Sequence, residues 1–210
     1  MKRVRVKICG VRTLEEAEAS VRAGADALGF NFWPESPRFI TPEEARRIVA
    51  ALPALINCIG VFVNEDAGRV REIAWHVGLN IVQLHGEETA SYCLHLAPLK
   101  VIKAFRVGNE FDPRTIRNYS VSAILLDAKV EGQYGGTGKR FPWELAIQAK
   151  RFAPVILAGG LNSDTVAEAI TFVRPFAIDV CSGVESAPGR KDLNRLREFM
   201  EEVARANNQQ

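Results

Sequence analysis

The chain has 210 residues, 27 Lys and Arg against 25 Asp and Glu, and a formal net charge of +2. With 47% hydrophobic and 25% charged residues it has the mix of a globular protein, so disorder, collagen-like repeats and coiled coil are poor readings. At about 150 residues per domain the length suits one domain or two small ones, and a chain this long buries roughly 70% of the surface exposed when unfolded.

The first predicted strand falls near 4–9, where Val4, Val6 and Ile8 alternate with Arg5, Lys7 and Cys9. A helix follows near 13–23, with Thr13 as its cap and Gly24 beyond its end. The second strand, near 26–32, leads to a helix near 42–52 that Thr41 caps, with Pro42 at its first position. The third, near 56–63, precedes a helix near 66–77 that Gly78 ends. Strands near 81–85 and 100–106 are followed by helices near 87–96 and 112–118. The sixth strand, near 122–127, runs into the longest loop, Ala128 to Phe141, and then a helix near 142–152. A seventh strand near 154–158 precedes a helix near 163–172, with Ser163 before Asp164 as its cap signal and Val166, Ala169, Ile170 and Val173 at helical spacing. The last pair lies near 176–181 and 192–206, and residues 207–210 are expected to form a frayed tail.

Strand and helix alternating eight times define an α/β fold, either a doubly wound sheet or a closed eight-stranded parallel (β/α)8 TIM barrel. Two features favour closure. No GxGxxG follows the first strand, as a dinucleotide-binding open sheet would require. Several strands also alternate in polarity, whereas central strands of an open parallel sheet are apolar on both faces. In a barrel the apolar face meets the helices, so Lys7, Cys9, Asn31, Gln83, His85, Asp127, Asp179 and Cys181 are predicted to point inward. They cluster at the C-terminal strand ends, where barrel enzymes keep their active sites.

Basic residues are dispersed, with no run of five or more, so no nucleic-acid groove or membrane-surface helix is expected. No apolar stretch approaches the ~18 residues of a membrane span, and the alternating start of the chain is a strand rather than a signal peptide. Four cysteines, Cys9, Cys58, Cys93 and Cys181, are scattered and form no CxxC pair. That points to free thiols in a reducing cytoplasm, with neither a disulfide framework nor a metal site.

Glycines end the last two strands, in Leu157-Ala158-Gly159-Gly160-Leu161 and Asp179-Val180-Cys181-Ser182-Gly183-Val184. Such residues let backbone N–H groups approach an anion, and barrels often bind phosphate between these two loops. Gly135-Gly136-Thr137-Gly138, in the long loop, is either a second phosphate wrap or a plain connector. Asp127 ends an apolar strand, where it serves as a catalytic acid or base or as a structural hydrogen-bonded carboxylate. Cys9 is either a small buried hydrophobe or, with the Lys7 ammonium beside it, a prepared thiolate. Arg38, on the loop after the second strand, is by itself a solvated surface residue or a carboxylate clamp.

Six motifs follow one another in order: Lys7-Ile8-Cys9-Gly10, Gln83-Leu84-His85-Gly86, Leu126-Asp127, Gly135-Gly136-Thr137-Gly138, Leu157-Ala158-Gly159-Gly160-Leu161, and Asp179 through Glu185. Through them nearly the whole chain resembles the phosphoribosylanthranilate isomerases of tryptophan biosynthesis, compact (β/α)8 barrels. The resemblance implies an Amadori rearrangement of N-(5-phosphoribosyl)anthranilate to 1-(2-carboxyphenylamino)-1-deoxyribulose 5-phosphate. Asp127 would be the general acid and Cys9 the general base. Arg38 would take the anthranilate carboxylate, and Gly138, Gly159, Gly160, Ser182 and Gly183 the phosphate. His85 and Asp179 would orient the substrate. A small phosphosugar is then the only partner expected, with no cofactor, nucleic acid or membrane, in a monomer or homodimer. One departure stands out: the family usually has Ser where this chain has Cys181.

Three rival readings differ in chemistry. The histidine-pathway aminoaldose isomerase, or a dual-substrate enzyme, typically uses two aspartates and a substrate with two phosphates, whereas strand one offers Cys9. Indole-glycerol-phosphate synthase, a longer barrel with additional N-terminal helices, uses a strand-borne Lys, toward which Lys103 on the fifth strand is a weak pointer. A non-catalytic phosphosugar-binding barrel would have no use for a thiol opposite an acid.

Overall fold

Eight short parallel strands close on themselves in sequence order: β1 (Arg5–Cys9), β2 (Ala27–Asn31), β3 (Asn57–Phe62), β4 (Ile81–Leu84), β5 (Lys100–Val107), β6 (Ala123–Ala128), β7 (Val155–Leu157) and β8 (Ala177–Val180). β8 pairs back onto β1, with Lys7 opposite Asp179. The computed structural model describes residues 3–108, 110–128 and 141–209. The expected (β/α)8 barrel is therefore the observed one.

Around it lie α1 (Leu14–Arg22), α2 (Pro42–Ala51), α3 (Ala67–Val77), α4 (Ala90–His95), α5 (Trp143–Ala149), α6 (Ser163–Val173) and α7 (Leu193–Asn208). Local chemistry starts several of them. Thr13 accepts from the Glu16 N–H, and Thr41 forms a reciprocal capping box with Glu44 ahead of Pro42. Asp66 and Thr89 cap α3 and α4 through their side-chain oxygens. Gly78 closes α3 in the left-handed conformation.

Four expectations need correction. The segment Pro113–Asn118 is a 3-10 helix, held by i to i+3 bonds such as Tyr119 N–H to Ile116 C=O. α4 begins at Ala90 rather than near 87, because the Glu88 carboxylate is drawn inward to accept from Gly86 and Asn64. α6 has Asn162, not Ser163, at its cap position. The tail is not frayed at 207, since α7 runs to Asn208 and the Asn207 amide both accepts from and donates to the Val4 backbone.

Apolar side chains fill two compartments. The larger lies between sheet and helices, where Ile8, Phe30, Leu84, Leu126, Ile178 and Phe199 are buried. The smaller is the barrel interior, where Ile59, Ile102, Leu125 and Ile156 pack with alanines at 104, 123, 158 and 177. The period-2 alternation of every strand separates the two. Among the described residues no helix is long and apolar enough to cross a membrane.

Lys103 belongs to the outward set and never reaches the interior. Its Nζ donates to the Gly86 carbonyl at 2.8 Å and pairs with the buried Glu88 at 2.9 Å, which ties β5 to the turn after β4. The Lys103 reading borrowed from indole-glycerol-phosphate synthase therefore has no site to act in. Removing one partner of a buried pair leaves the other charge stranded. Glu88→Ala is expected to cost about 3–5 kcal/mol in urea unfolding, and a loss under about 1 kcal/mol would contradict this strut.

Candidate active site

Lys7, near the top of β1, is a lysine with 2% exposure inside the barrel, a position tolerated only with a partner. Its Nζ donates to Asp179 Oδ1 at 2.7 Å. Burial opposes the ammonium, but Asp179 and the nearby Cys9 sulfur outweigh it and raise its proton affinity. Burial pushes the Asp179 carboxyl up to about 6, with Lys7 opposing. Both groups are thus ionised at neutral pH.

Cys9 lies one step above. The neighbouring Cys181 side chain holds Cys9 well below the ordinary thiol range despite burial, with Lys7 reinforcing it. Cys181 is pushed the other way, by Cys9 and by burial, and its own S–H is directed at Glu185 Oε1, 3.7 Å away. Gly29, opposite Cys9 on β2, makes room for the arrangement. A Cβ at Gly29 would stand 2.9 Å from both Cys9 Sγ and Lys7 Nζ.

Asp127 faces the same space from β6 and is 4% exposed. Its Oδ1 accepts from the Ala128 N–H at 2.9 Å, while Oδ2 lies 3.5 Å from His85 Nε2. The Gln83 amide nitrogen sits 2.9 Å from His85 Nδ1. With that amide as donor, Nε2 carries the imidazole proton and is left without a hydrogen-bond acceptor among the described residues. Gly159 adopts a left-handed φ of +81°, and a Cβ there would come within 3.0 Å of Asp127 Oδ1.

Arg38 is not the solvated arginine its sequence context allows. Nε and Nη2 grip Glu185 at 2.9 and 2.8 Å, a bidentate pair. Lys191 completes the network, with Nζ 3.0 Å from Glu185 Oε1 and 3.1 Å from the Cys181 carbonyl. Burial works against the Glu185 charge, but Arg38 and Lys191 keep its carboxyl below the usual range. Glu185 and Lys191 sit on a hairpin, β9 (Glu185–Ala187) with β10 (Arg190–Lys191), absent from the sequence-based element order. Pro188-Gly189 was its turn signal.

Ser182 and Gly183 open a short 3-10 turn, and Gly183 packs directly on the Leu161 carbonyl, so the loops after β7 and β8 touch. Gly160 has a left-handed φ of +68°. Gly138 and its neighbours in the glycine-rich loop lie outside the described residues.

One pocket is lined by Cys9, Arg38, His85, Asp127, Gly159, Gly160, Asp179, Cys181 and Ser182. It therefore gathers most of the sequence-predicted site; Gly183 lies beside it. Gly29, Glu185 and Lys191 were missed: a glycine inside a strand signals close approach, but nothing local shows what approaches. Among the described residues no group of three or more His, Cys, Asp or Glu side chains is placed to hold a metal ion.

A thiol, carboxylates and glycine loops assembled at the C-terminal mouth of a closed (β/α)8 barrel define a barrel enzyme equipped for proton transfer. Comparison with known proteins makes the class specific. The profile of the N-(5'phosphoribosyl)anthranilate (PRA) isomerase family matches residues 6–202. An N-(5'-phosphoribosyl)anthranilate isomerase of Geobacter sulfurreducens is 53% identical over 197 residues, 94% of this chain and 97% of that protein. The crystal structure of a phosphoribosyl anthranilate isomerase from Thermotoga maritima superposes with a TM-score of 0.88 at 48% identity, covering 96% of this chain and 98% of the other. Another, in complex with reduced 1-(o-carboxyphenylamino)-1-deoxyribulose 5-phosphate, gives 0.85 at 45% identity over 96% and 98%. The chain belongs to this family, as an isomerase of tryptophan biosynthesis.

Gly29→Ala tests the packing beneath the thiol. Displacing Cys9 or Lys7 by a fraction of an ångström is expected to lower kcat by about 10²-fold in a protein that still unfolds cooperatively. Unchanged turnover would show that the site tolerates the intrusion.

Proposed function

We propose that the chain converts N-(5-phosphoribosyl)anthranilate to 1-(2-carboxyphenylamino)-1-deoxyribulose 5-phosphate with Asp127 as acid and Cys9 as base. Asp127 protonates the furanose ring oxygen, and the ring opens to a Schiff base between the anthranilate nitrogen and C1′. Cys9, as thiolate, removes the proton from C2′. The resulting enolamine tautomerises to the ketone. Each transfer is worth about 10²–10⁴-fold.

The observation that carries this reading is the pairing of unlike groups across one pocket: a thiol with a depressed proton affinity on β1 and a buried carboxylate on β6. An aldose–ketose rearrangement needs such a pair, and a binding-only barrel does not. Arg38, held by Glu185, would engage the anthranilate carboxylate. The phosphate would lie on backbone N–H groups of Gly159, Gly160, Ser182 and Gly183 near the N-terminus of α6, with Gly138 contributing from the preceding loop. His85 and Asp179 would orient substrate, through Asp127 and Lys7 respectively. We place the enzyme in the cytoplasm as a monomer or homodimer that uses no cofactor and binds neither nucleic acid nor membrane.

Cys9→Ser and Asp127→Asn should each lower kcat by at least about 10²-fold while the protein stays folded. The assay is the change in anthranilate fluorescence during turnover of freshly prepared phosphoribosylanthranilate. Near-normal kcat in either variant removes that residue from its role. A folded wild type that ignores this substrate but turns over the histidine-pathway aminoaldose would replace the reading with the sister reaction.

The pH profile supplies an independent check. A base that works as thiolate makes kcat/KM rise with pH through the free-enzyme Cys9 titration. Because Cys181 and Lys7 hold that titration low, the acid limb should end below the ordinary thiol range. In Lys7→Met the ammonium is lost, so the limb should move to higher pH; an unmoved limb would show that Lys7 does not support the thiolate.

A further inference from the structure

Two sulfurs sit side by side in this pocket, and the proton-transfer chemistry uses only one. The β1–β8 register pairs Ile8 with Val180, so the next residues along the chain are Cys9, at the end of β1, and Cys181, just past β8. Neighbouring strands run ~4.8 Å apart, within the roughly 4.4–6.8 Å Cα separation that a disulfide spans. Both side chains line the same pocket, and each thiol shifts the proton affinity of the other. The other two cysteines stand apart. Cys58 and Cys93 are buried in the layer between sheet and helices, and burial pushes Cys58 up to about 11 and Cys93 upward, away from the reactive thiolate.

We propose that Cys9 and Cys181 are a redox modification site, in which a hydroperoxide oxidises Cys9 and Cys181 closes on it as a disulfide that switches the isomerase off. The switch rests on Cys9 being the base; the disulfide itself does not. In the first step the Cys9 thiolate attacks the terminal peroxide oxygen. An S–O bond forms and the O–O bond breaks, so sulfur loses two electrons, the peroxide gains them, and water or an alcohol leaves after protonation. In the second step the Cys181 sulfur attacks the sulfenic sulfur. The S–S bond forms, the S–O bond breaks, and hydroxide departs as water with the thiol proton.

The surroundings favour the second step only after the first. In the reduced enzyme, the charged Cys9 beside it and burial keep Cys181 protonated. Once Cys9 is a neutral sulfenic acid that charge is gone. Lys191, with Nζ 3.8 Å from Cys181 Sγ, and Arg38 remain to stabilise the attacking thiolate. With the family's usual Ser at this position no resolving sulfur would exist, and Cys9 would be exposed to irreversible oxidation.

The experiment treats the full-length enzyme with hydrogen peroxide, alkylates remaining thiols, and follows peptides by mass spectrometry. Activity is expressed for each variant against the same untreated protein. Wild type should yield a linked pair of peptides containing Cys9 and Cys181, two hydrogens lighter than their sum, with activity down at least about 10-fold. Dithiothreitol should restore both. Cys181→Ser should form no linked pair, accumulate sulfinic acid at Cys9 and fail to recover. Wild type that gives only over-oxidised Cys9, without the linked pair, overturns the disulfide. A linked pair in a still-active enzyme overturns the switch; if Cys9→Ser is itself active, that failure belongs to the assignment of Cys9 as base.

Discussion

Lys7 and Asp179 meet across the seam where the barrel closes, 172 residues apart in the chain, and the working face is arranged about their 2.7 Å contact. Neither charge could persist alone in an interior otherwise filled by Ile59, Ile102, Leu125, Ile156 and small alanines. Together they survive, and the pair sets an ammonium directly beneath Cys9. A buried pair of this kind is a weak source of stability, because desolvation offsets most of its attraction. Its value is electrostatic: it turns the end of β1 from a hydrophobic strand tip into a place where a thiolate is tolerated.

The rest of the site is held by similar means, further out. Arg38, Glu185 and Lys191 tie the loop after β2 to the hairpin after β8 and fix the backbone carbonyl of Cys181. Lys103 and Glu88 brace the turn that follows His85. These ion pairs are shielded from water, unlike the exposed Glu18–Arg22 or Glu202–Arg205 pairs on helix surfaces, which contribute little. The barrel body is thus stabilised by apolar packing, while its catalytic rim is positioned by charge and by glycines that leave space.

Cys181 shows how a small departure acquires meaning from its neighbours. In the chain it is one cysteine in a glycine-containing turn. In the fold it shares a pocket with Cys9, and its sulfur lies 3.7 Å from Glu185 and 3.8 Å from Lys191. The same atom that lowers the proton affinity of Cys9 is thereby placed to trap it when oxidised.

Period-2 alternation and cap residues act over two to four positions, so the amino-acid sequence alone determined which side chains point inward and where α1 and α2 begin. It set Cys9, Gln83, Asp127 and Asp179 on the inward face, and the six ordered motifs carried the family. It could not say that Arg38 would be clamped by Glu185, that Gly29 would make room for two side chains, or that Lys103 would brace a turn. Nor could it show that the chain after β8 folds into a hairpin delivering Lys191 to Cys181. Those contacts join residues far apart in the chain, and only closure of the sheet and its strand register bring them within bonding distance. Side-chain direction is a local property of a strand; the partner it meets is a property of the closed barrel.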